Sequence, residues 1–108
     1  MDKDFEWHPK AWIDYEKLEK EKNFEALTKI IELIEDILKN GLLKGRGKPE
    51  KLKYSKGEDV YSRRIDKYNR LIYKISTRTN KLLIVGCKGH YENIKDVLKR
   101  IEDYENIY

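Results

Sequence analysis

Apolar residues recur at spacings of three and four along residues 9–40, which predicts two consecutive helices. Pro9 stands where helices commonly begin, and the first apolar stripe continues to about residue 22. Asn23 can cap a second helix, which Asn40 and Gly41 can end. The apolar positions are Trp12, Tyr15 and Leu18, then Phe24, Leu27, Ile30, Ile31, Leu33, Ile34, Ile37 and Leu38. The pattern predicts a helical hairpin with an apolar inner face and an acidic outer face.

Apolar and polar residues alternate in much of the remaining chain, which predicts strands. Residues 4–8 are expected to form a short first strand, and three more are expected at about 60–65, 70–76 and 81–88. Short polar turns separate these three, so we expect them to be antiparallel. One more short strand is expected near residues 51–54.

The strand at 70–76 has two different faces. Alternation places Leu71, Tyr73 and Ile75 on one face, and Arg70, Ile72 and Lys74 on the other. We expect the first face to pack against the helices and the second to be the working face.

The last residues fit an amphipathic helix that begins near Asn93. The predicted fold class is therefore α+β, with a small, mostly antiparallel sheet, an N-terminal helical hairpin packed on one face and an extra C-terminal helix. We treat residues 1–91 as the main unit and residues 92–108 as a helical extension of the same domain. Removing this extension is expected to leave a folded protein.

Charge is unevenly distributed along the 108 residues. Residues 44–91 contain 14 Lys and Arg but 4 Asp and Glu, a net charge of +10, whereas residues 1–43 carry 7 against 11, or −4. This basic block favours a phosphate-rich partner, although a solvated charged face would look similar. The single cysteine, Cys87, and the lack of an apolar run of membrane length favour a reducing cytoplasm and no membrane association.

The basic block contains the residue types needed for metal-free cleavage of RNA: a base, phosphate ligands and an acid. Glu50 is the candidate base, as the only acidic residue between Lys44 and Gly57. Surrounding cations should keep its carboxylate ionised but make it a weaker base, so positioning would have to compensate. A surface glutamate in a local ion pair is the structural alternative.

Arg64 and Arg70 are candidate phosphate ligands, because guanidinium is permanently charged and can donate two hydrogen bonds to one phosphate. Pairing of Arg64 and Arg70 with acids across the sheet is the alternative. Lys53 and Arg63 are weaker candidates, and alternation places Arg63 on the opposite face from Arg64.

His90 is the candidate acid, because imidazole can carry and release a proton near neutral pH. Tyr91 could stack on a base or bind phosphate. A structural histidine and an aromatic residue at the core edge are the alternatives. Cys87 lies within an apolar strand and is expected in the core. The histidines and cysteine show no metal-ligand spacing, so neither a metal nor a cofactor is expected.

Three segments follow the predicted hairpin in a distinctive order: GRGKPEKLK at 45–53, SRRIDKYNRLIY at 62–73 and LLIVGCKGHY at 82–91. In this order, over about residues 4–91, the chain resembles the YoeB/Txe toxins of bacterial toxin–antitoxin systems, which belong to the RelE/ParE-like superfamily. The resemblance implies a five-stranded, mostly antiparallel sheet with two helices against it, and no metal.

The resemblance also implies an mRNA interferase that enters the A site of the 30S ribosomal subunit, contacts rRNA and cuts mRNA there. It assigns Glu50 as base, Arg70 as transition-state arginine, His90 as acid and Tyr91 as its neighbour in the site. It also assigns Lys53 and Arg64 as supporting basic residues. With them, Arg63 and Lys48 complete the set expected to bind RNA. A YefM-like antitoxin is the implied partner, and a homodimer is left open.

Residues 92–108 depart from this family, whose members commonly stop at the His-Tyr pair. The extension could restrict entry to the site, stand where antitoxin normally sits, or extend the core or a dimer interface. Two other classes of function remain open. One is a non-catalytic relative that binds the ribosome or gyrase, and the other is an RNA binder with a decayed active site.

Overall fold

The computed structural model describes residues 4–53, 57, 59–90 and 94–107. Within these ranges, three helices and a five-stranded mixed sheet form an α+β fold, as predicted. The elements in chain order are β1 (Phe5–Trp7), α1 (Pro9–Lys20), α2 (Phe24–Asn40), β2 (Glu50–Lys51), β3 (Tyr61–Arg64), β4 (Arg70–Ile75), β5 (Leu82–Gly86) and α3 (Ile94–Ile107). Among the described helices, none is long and apolar enough to cross a membrane.

Side chains fix the starts of the two N-terminal helices. His8 caps α1, with its ring accepting a hydrogen bond from the Lys10 N–H at 3.0 Å. The Asn23 side chain caps α2 by accepting from the Ala26 N–H, and Gly41 ends α2 at a φ of 102°. The predicted cap at Asn23 and end at Gly41 are confirmed, because each satisfies backbone groups that the helix leaves unpaired.

The strands lie in the order β1-β5-β4-β3-β2, with β1 parallel to β5 and the other pairs antiparallel. In the register, Arg64 pairs with Arg70, while Ser62 pairs with both Ile72 and Glu50. Because directly paired residues share a face, Glu50, Arg64 and Arg70 all belong to the same face. Strand β2 begins at Glu50, earlier than predicted, and Tyr54 lies outside the described residues.

The hairpin of α1 and α2 covers one face of the sheet. Its buried side chains, among them Leu18, Ile30 and Leu33, pack in one core with Leu71 and Tyr73. This outcome agrees with the alternation in β4, which placed Leu71 and Tyr73 on the face toward the helices.

Helix α3 covers the middle of the opposite face, where an open working face was expected. Val97, Ile101 and Tyr104 form a second buried core there with sheet residues that include Ile72 and Leu83. On its face of β4, Ile72 lies between Arg70 and Lys74, so the strand alone gave no sign that Ile72 is buried. The apolar surface forms only when β3 and β5 add Val60, Leu83 and Val85 beside it. Glu50, Arg64 and Arg70 are not part of this second core, so α3 leaves their end of the face open.

Polar anchors hold α3 against the sheet. The Glu105 carboxylate accepts hydrogen bonds from Lys74 Nζ at 2.9 Å, Ser76 Oγ at 3.0 Å and the Thr77 N–H at 2.9 Å. Arg100 donates to Asp14 and to the Val85 carbonyl. These contacts fix α3 at both the start and the end of the strands it crosses.

Candidate active site

The turn between β3 and β4 organises one end of the sheet. The Asp66 carboxylate accepts hydrogen bonds from the Tyr68 and Asn69 N–H groups, each at 2.8 Å, and from the Asn69 side chain. Burial alone would raise the pKa of Asp66, but these donors and the nearby Arg70 lower it below its ordinary value. An ionised carboxylate thus locks the turn in one conformation.

Arg70 is held by this turn at the start of β4. Its guanidinium donates to the Asp66 carbonyl at 2.8 Å and to the Asn69 carbonyl at 3.1 Å. Carbonyl acceptors carry no formal charge, so the guanidinium keeps its full positive charge for an anion. No salt bridge joins Arg70 or its cross-strand neighbour Arg64 to a carboxylate in the described ranges. Two neighbouring arginines here can share one phosphate.

His90 is joined to the same turn. Its Nε2 lies 3.0 Å from the Lys67 carbonyl oxygen, and the preceding Gly89 N–H donates to the Asn69 side chain at 2.8 Å. Because a carbonyl can only accept, the Nε2 atom must carry the proton. A second proton on the exposed imidazole would therefore occupy Nδ1.

Glu50 lies at the start of the edge strand β2 and is exposed. Glu50 pairs with Ser62, which pairs in turn with Ile72, two residues along β4 from Arg70. The usual spacings between strands and between residues therefore place the Cα atoms of Glu50 and Arg70 about 12 Å apart. That separation excludes direct contact of the two backbones but leaves room for a nucleotide between the side chains. Within the described part of the chain, no cation lies at salt-bridge distance from Glu50.

The loop before β2 folds over a buried arginine. The Arg63 guanidinium is fully buried and donates to Asp36, to the Tyr73 hydroxyl and to three loop carbonyls. The backbone N–H of Arg46, together with Arg63, lowers the pKa of Asp36 although partial burial opposes this. The assignment of Arg63 to RNA binding is therefore wrong, because its donors are directed at the protein. It acts instead as a clamp on the loop that leads to Glu50.

Two glycines allow that loop to approach the clamp closely. Gly45 has a φ of 114°, and a Cβ atom there would lie 1.9 Å from an Asp36 oxygen. Gly47 has a φ of 82° and accepts a hydrogen bond from the Arg64 N–H at 2.6 Å. Larger residues would be strained at both positions, so the glycines indirectly position Glu50 and Arg64.

Three predicted site residues remain to be placed: Lys53, Tyr91 and Lys48. Lys53 is exposed in the turn after β2, and Tyr91 lies outside the described residues. Lys48 is exposed and lines, with Lys29, Arg64 and Lys67, a cavity of about 430 Å³. Lys29 and Lys67 were missed by the sequence reasoning, because Lys29 lies in the acidic hairpin and Lys67 in a turn.

Cys87 is buried in the core, as predicted. Its thiol donates to the Ala11 carbonyl at 3.6 Å, and burial raises the pKa of the thiol far above its ordinary range. A thiol of this kind is a poor nucleophile.

A family of known proteins matches most of this chain. The sequence model of the family described as "YoeB-like toxin of bacterial type II toxin-antitoxin system" matches residues 7–91. Comparison with curated protein sequences finds no significant match.

Solved structures of similar proteins include toxins from two organisms. A YoeB–YefM complex from Staphylococcus aureus contains a chain 41% identical, with a TM-score of 0.67, and a YoeB dimer from the same organism is 39% identical, with a TM-score of 0.70. Each of these matches covers 81% of this chain and 95% of the other. A YoeB/ParE toxin from Agrobacterium tumefaciens is 31% identical, with a TM-score of 0.70, over 81% of this chain and 98% of the other.

Proposed function

Because this chain belongs to the YoeB-like toxins of bacterial type II toxin–antitoxin systems, we propose that it is a ribosome-dependent endoribonuclease that cuts mRNA in the ribosomal A site. One observation carries the proposal. Arg70 and His90 are both tied to the turn between β3 and β4, at the end of the face to which Glu50 and Arg64 belong. A non-catalytic surface has no need for a base, two phosphate ligands and an acid in this arrangement.

The reaction proposed is attack by the RNA's own 2′-hydroxyl on the adjacent phosphorus. Glu50 removes the 2′ proton, and Arg64 and Arg70 stabilise the charge that develops on the phosphoryl oxygens. The bond from phosphorus to the 5′ oxygen breaks as His90 protonates that oxygen. The products are a 2′,3′-cyclic phosphate and a free 5′-hydroxyl.

The contacts of His90 suit this role. In the imidazolium form, the Nε2 proton binds the Lys67 carbonyl and the Nδ1 proton is left for the leaving oxygen. After transfer, the neutral ring keeps its Nε2 proton and its contact with Lys67. The ring is thus held in one orientation throughout the step.

The surrounding basic residues would hold the RNA backbone. Lys48, Lys53 and Arg64 are exposed around the proposed site, and Tyr91 follows His90 directly in the sequence. Binding that depends on these charges should weaken steeply as salt is raised, because RNA binding releases counterions.

The proposed partners follow from the relatives. Staphylococcus aureus YoeB has been solved with YefM and also as a dimer, which supports a YefM-like antitoxin for this chain and leaves a homodimer as a second association. We place this toxin in the cytoplasm with translating ribosomes.

The test is a cell-free translation reaction with a defined mRNA, read by primer extension. We expect new 5′ ends at A-site codons that require ribosomes and vanish with Glu50→Gln or His90→Ala. Arg70→Ala should reduce the cleavage rate by at least ~100-fold, the scale expected for loss of a transition-state donor. Glu35→Gln, at an exposed position on α2, is the matched control and should cut normally.

Arrested translation with intact mRNA would contradict cleavage and favour a toxin that only binds the ribosome or its RNA. A gyrase inhibitor would leave translation unaffected and would block DNA supercoiling in a purified gyrase assay.

A further inference from the structure

Tyr68 presents a large aromatic ring to solvent in the turn between β3 and β4. Its exposure of 67% is high for a residue of this size, and the ring belongs to neither of the two buried cores. Burial of the ring therefore contributes little to the stability of the folded chain. An exposed ring that does not serve the core is available to a ligand.

The backbone of Tyr68 is fixed although its ring is exposed. The Tyr68 N–H donates to the Asp66 carboxylate, whose backbone carbonyl in turn accepts from Arg70. The carbonyl of Lys67, the residue just before Tyr68, accepts from His90. The backbone that carries the ring is thus bonded to both the phosphate ligand and the acid of the proposed site.

Lys67 connects this ring with a basic groove. Its Nζ atom lies 5.8 Å from the ring centroid, and Lys67 also lines, with Lys48 and Arg64, the cavity described above. A basic groove with an exposed aromatic ring is the combination that proteins use for single-stranded nucleic acids, because cations hold the phosphates while the ring stacks on a base.

We propose that Tyr68 stacks on the base of a nucleotide next to the scissile phosphate and so helps to set which codons are cut. This inference rests on the proposed endoribonuclease function. Stacking would stop the nucleotide from rotating while the 2′-hydroxyl aligns with the phosphorus. Tyr68 is thus a positioning and specificity residue, whose contribution depends on the base rather than on proton transfer.

The test is single-turnover cleavage on ribosomes programmed with mRNAs that carry a normal or an abasic nucleotide at each position of the A-site codon. The wild type should lose about 10-fold or more at one abasic position, and Tyr68→Ala should lose a similar factor on normal mRNA. With Tyr68→Ala, the abasic mRNA should cause no further loss. Tyr68→Phe keeps the ring and should behave as the wild type, whereas Phe24→Ala removes an exposed ring from α2 and should have no effect.

Two results would overturn the inference. One is wild-type cleavage by Tyr68→Ala, and the other is an abasic loss that is as large in Tyr68→Ala as in the wild type. Circular dichroism of each variant would exclude a folding defect as the cause of slow cleavage.

A binding assay separates this inference from the proposed function. A short single-stranded RNA containing 2-aminopurine would report stacking by quenching of its fluorescence, without any cleavage. If the wild type does not cut mRNA, the proposed function fails, but quenching by the wild type and Tyr68→Phe and not by Tyr68→Ala would still support the stacking role. Equal quenching by all three, or none by any, would contradict it.

Discussion

Replacement of Glu105 by glutamine tests whether α3 is an integral part of the fold. The Glu105 side chain is 10% exposed and accepts hydrogen bonds from Lys74, Ser76 and two backbone N–H groups at the end of β4. Glutamine has the same shape but cannot carry the negative charge that faces Lys74. We therefore expect the variant to fold and to be less stable near neutral pH.

The magnitude follows from the titration of this carboxyl group. Burial by itself would raise the pKa of Glu105, but Lys74 and the other donors lower it from 4.5 to about 2. The difference corresponds to at most about 3.4 kcal/mol of stability at pH 7, and solvent near the carboxylate reduces this to roughly 1.5–3 kcal/mol. Because the folded pKa is the lower one, the contribution is present above about pH 5 and falls as the pH approaches 2.

The assay is urea unfolding of the wild type and Glu105→Gln at pH 7 and at pH 3. The difference in the free energy of unfolding should be about 1.5–3 kcal/mol at pH 7 and less than half of that at pH 3. Glu102→Gln changes the net charge equally at an exposed position of the same helix and should alter stability by under about 0.5 kcal/mol. A Glu105→Gln effect that is absent at pH 7, or equal at the two pH values, would refute this account of how α3 is held.

Three further outcomes are expected. Arg63→Ala should lower the free energy of unfolding in urea by about 3–5 kcal/mol, because it leaves the loop carbonyls and Asp36 without a buried donor. Arg64→Ala should change stability by no more than about 0.5 kcal/mol and should slow RNA cleavage. The reverse pattern would contradict the burial of Arg63. Ending the chain after residue 93 should lower stability by roughly 5 kcal/mol, since the burial of Val97, Ile101 and Tyr104 against the sheet is lost. Unchanged thermal unfolding would show that α3 does not contribute to the stability of the fold. Cys87 should react with a disulfide reagent only as fast as the protein opens, so adding urea should accelerate modification sharply, and rapid labelling in native buffer would count against its burial.

Local patterns predicted much of the fold because they reflect local physics. The cap at Asn23, the end at Gly41 and the two faces of β4 near Leu71 depend on neighbouring residues alone. Alternation likewise separated Arg63 from Arg64 correctly, and the error lay in keeping Arg63 as an RNA ligand. Burial of an arginine depends on acceptors far away in sequence, here Asp36 and the carbonyls of the loop before β2.

Long-range pairing set the limit of what the sequence could predict. The apolar surface beneath α3 is shared by β3, β4 and β5, so Ile72 looked exposed when its own strand was considered alone. The turn between β3 and β4 was predicted, but its part in the site was not. Tyr68 and Asn69 lie within the segment at 62–73 without an assigned role, and their importance appears only when His90 and Arg70 are both found bonded to that turn.

The sheet also dictates when the protein can acquire its structure during synthesis. Strand β1, made first, pairs with β5, made last among the strands, and the second core waits for α3. Contacts between such distant parts of the chain form slowly, because a long loop must close first. Until α3 is made, the nascent chain has Ile72, Leu83 and Val85 open to any chaperone or aggregation partner. The proposed site around Arg70 and His90 therefore cannot assemble during synthesis until β5 and the residues that follow it have been added to the chain.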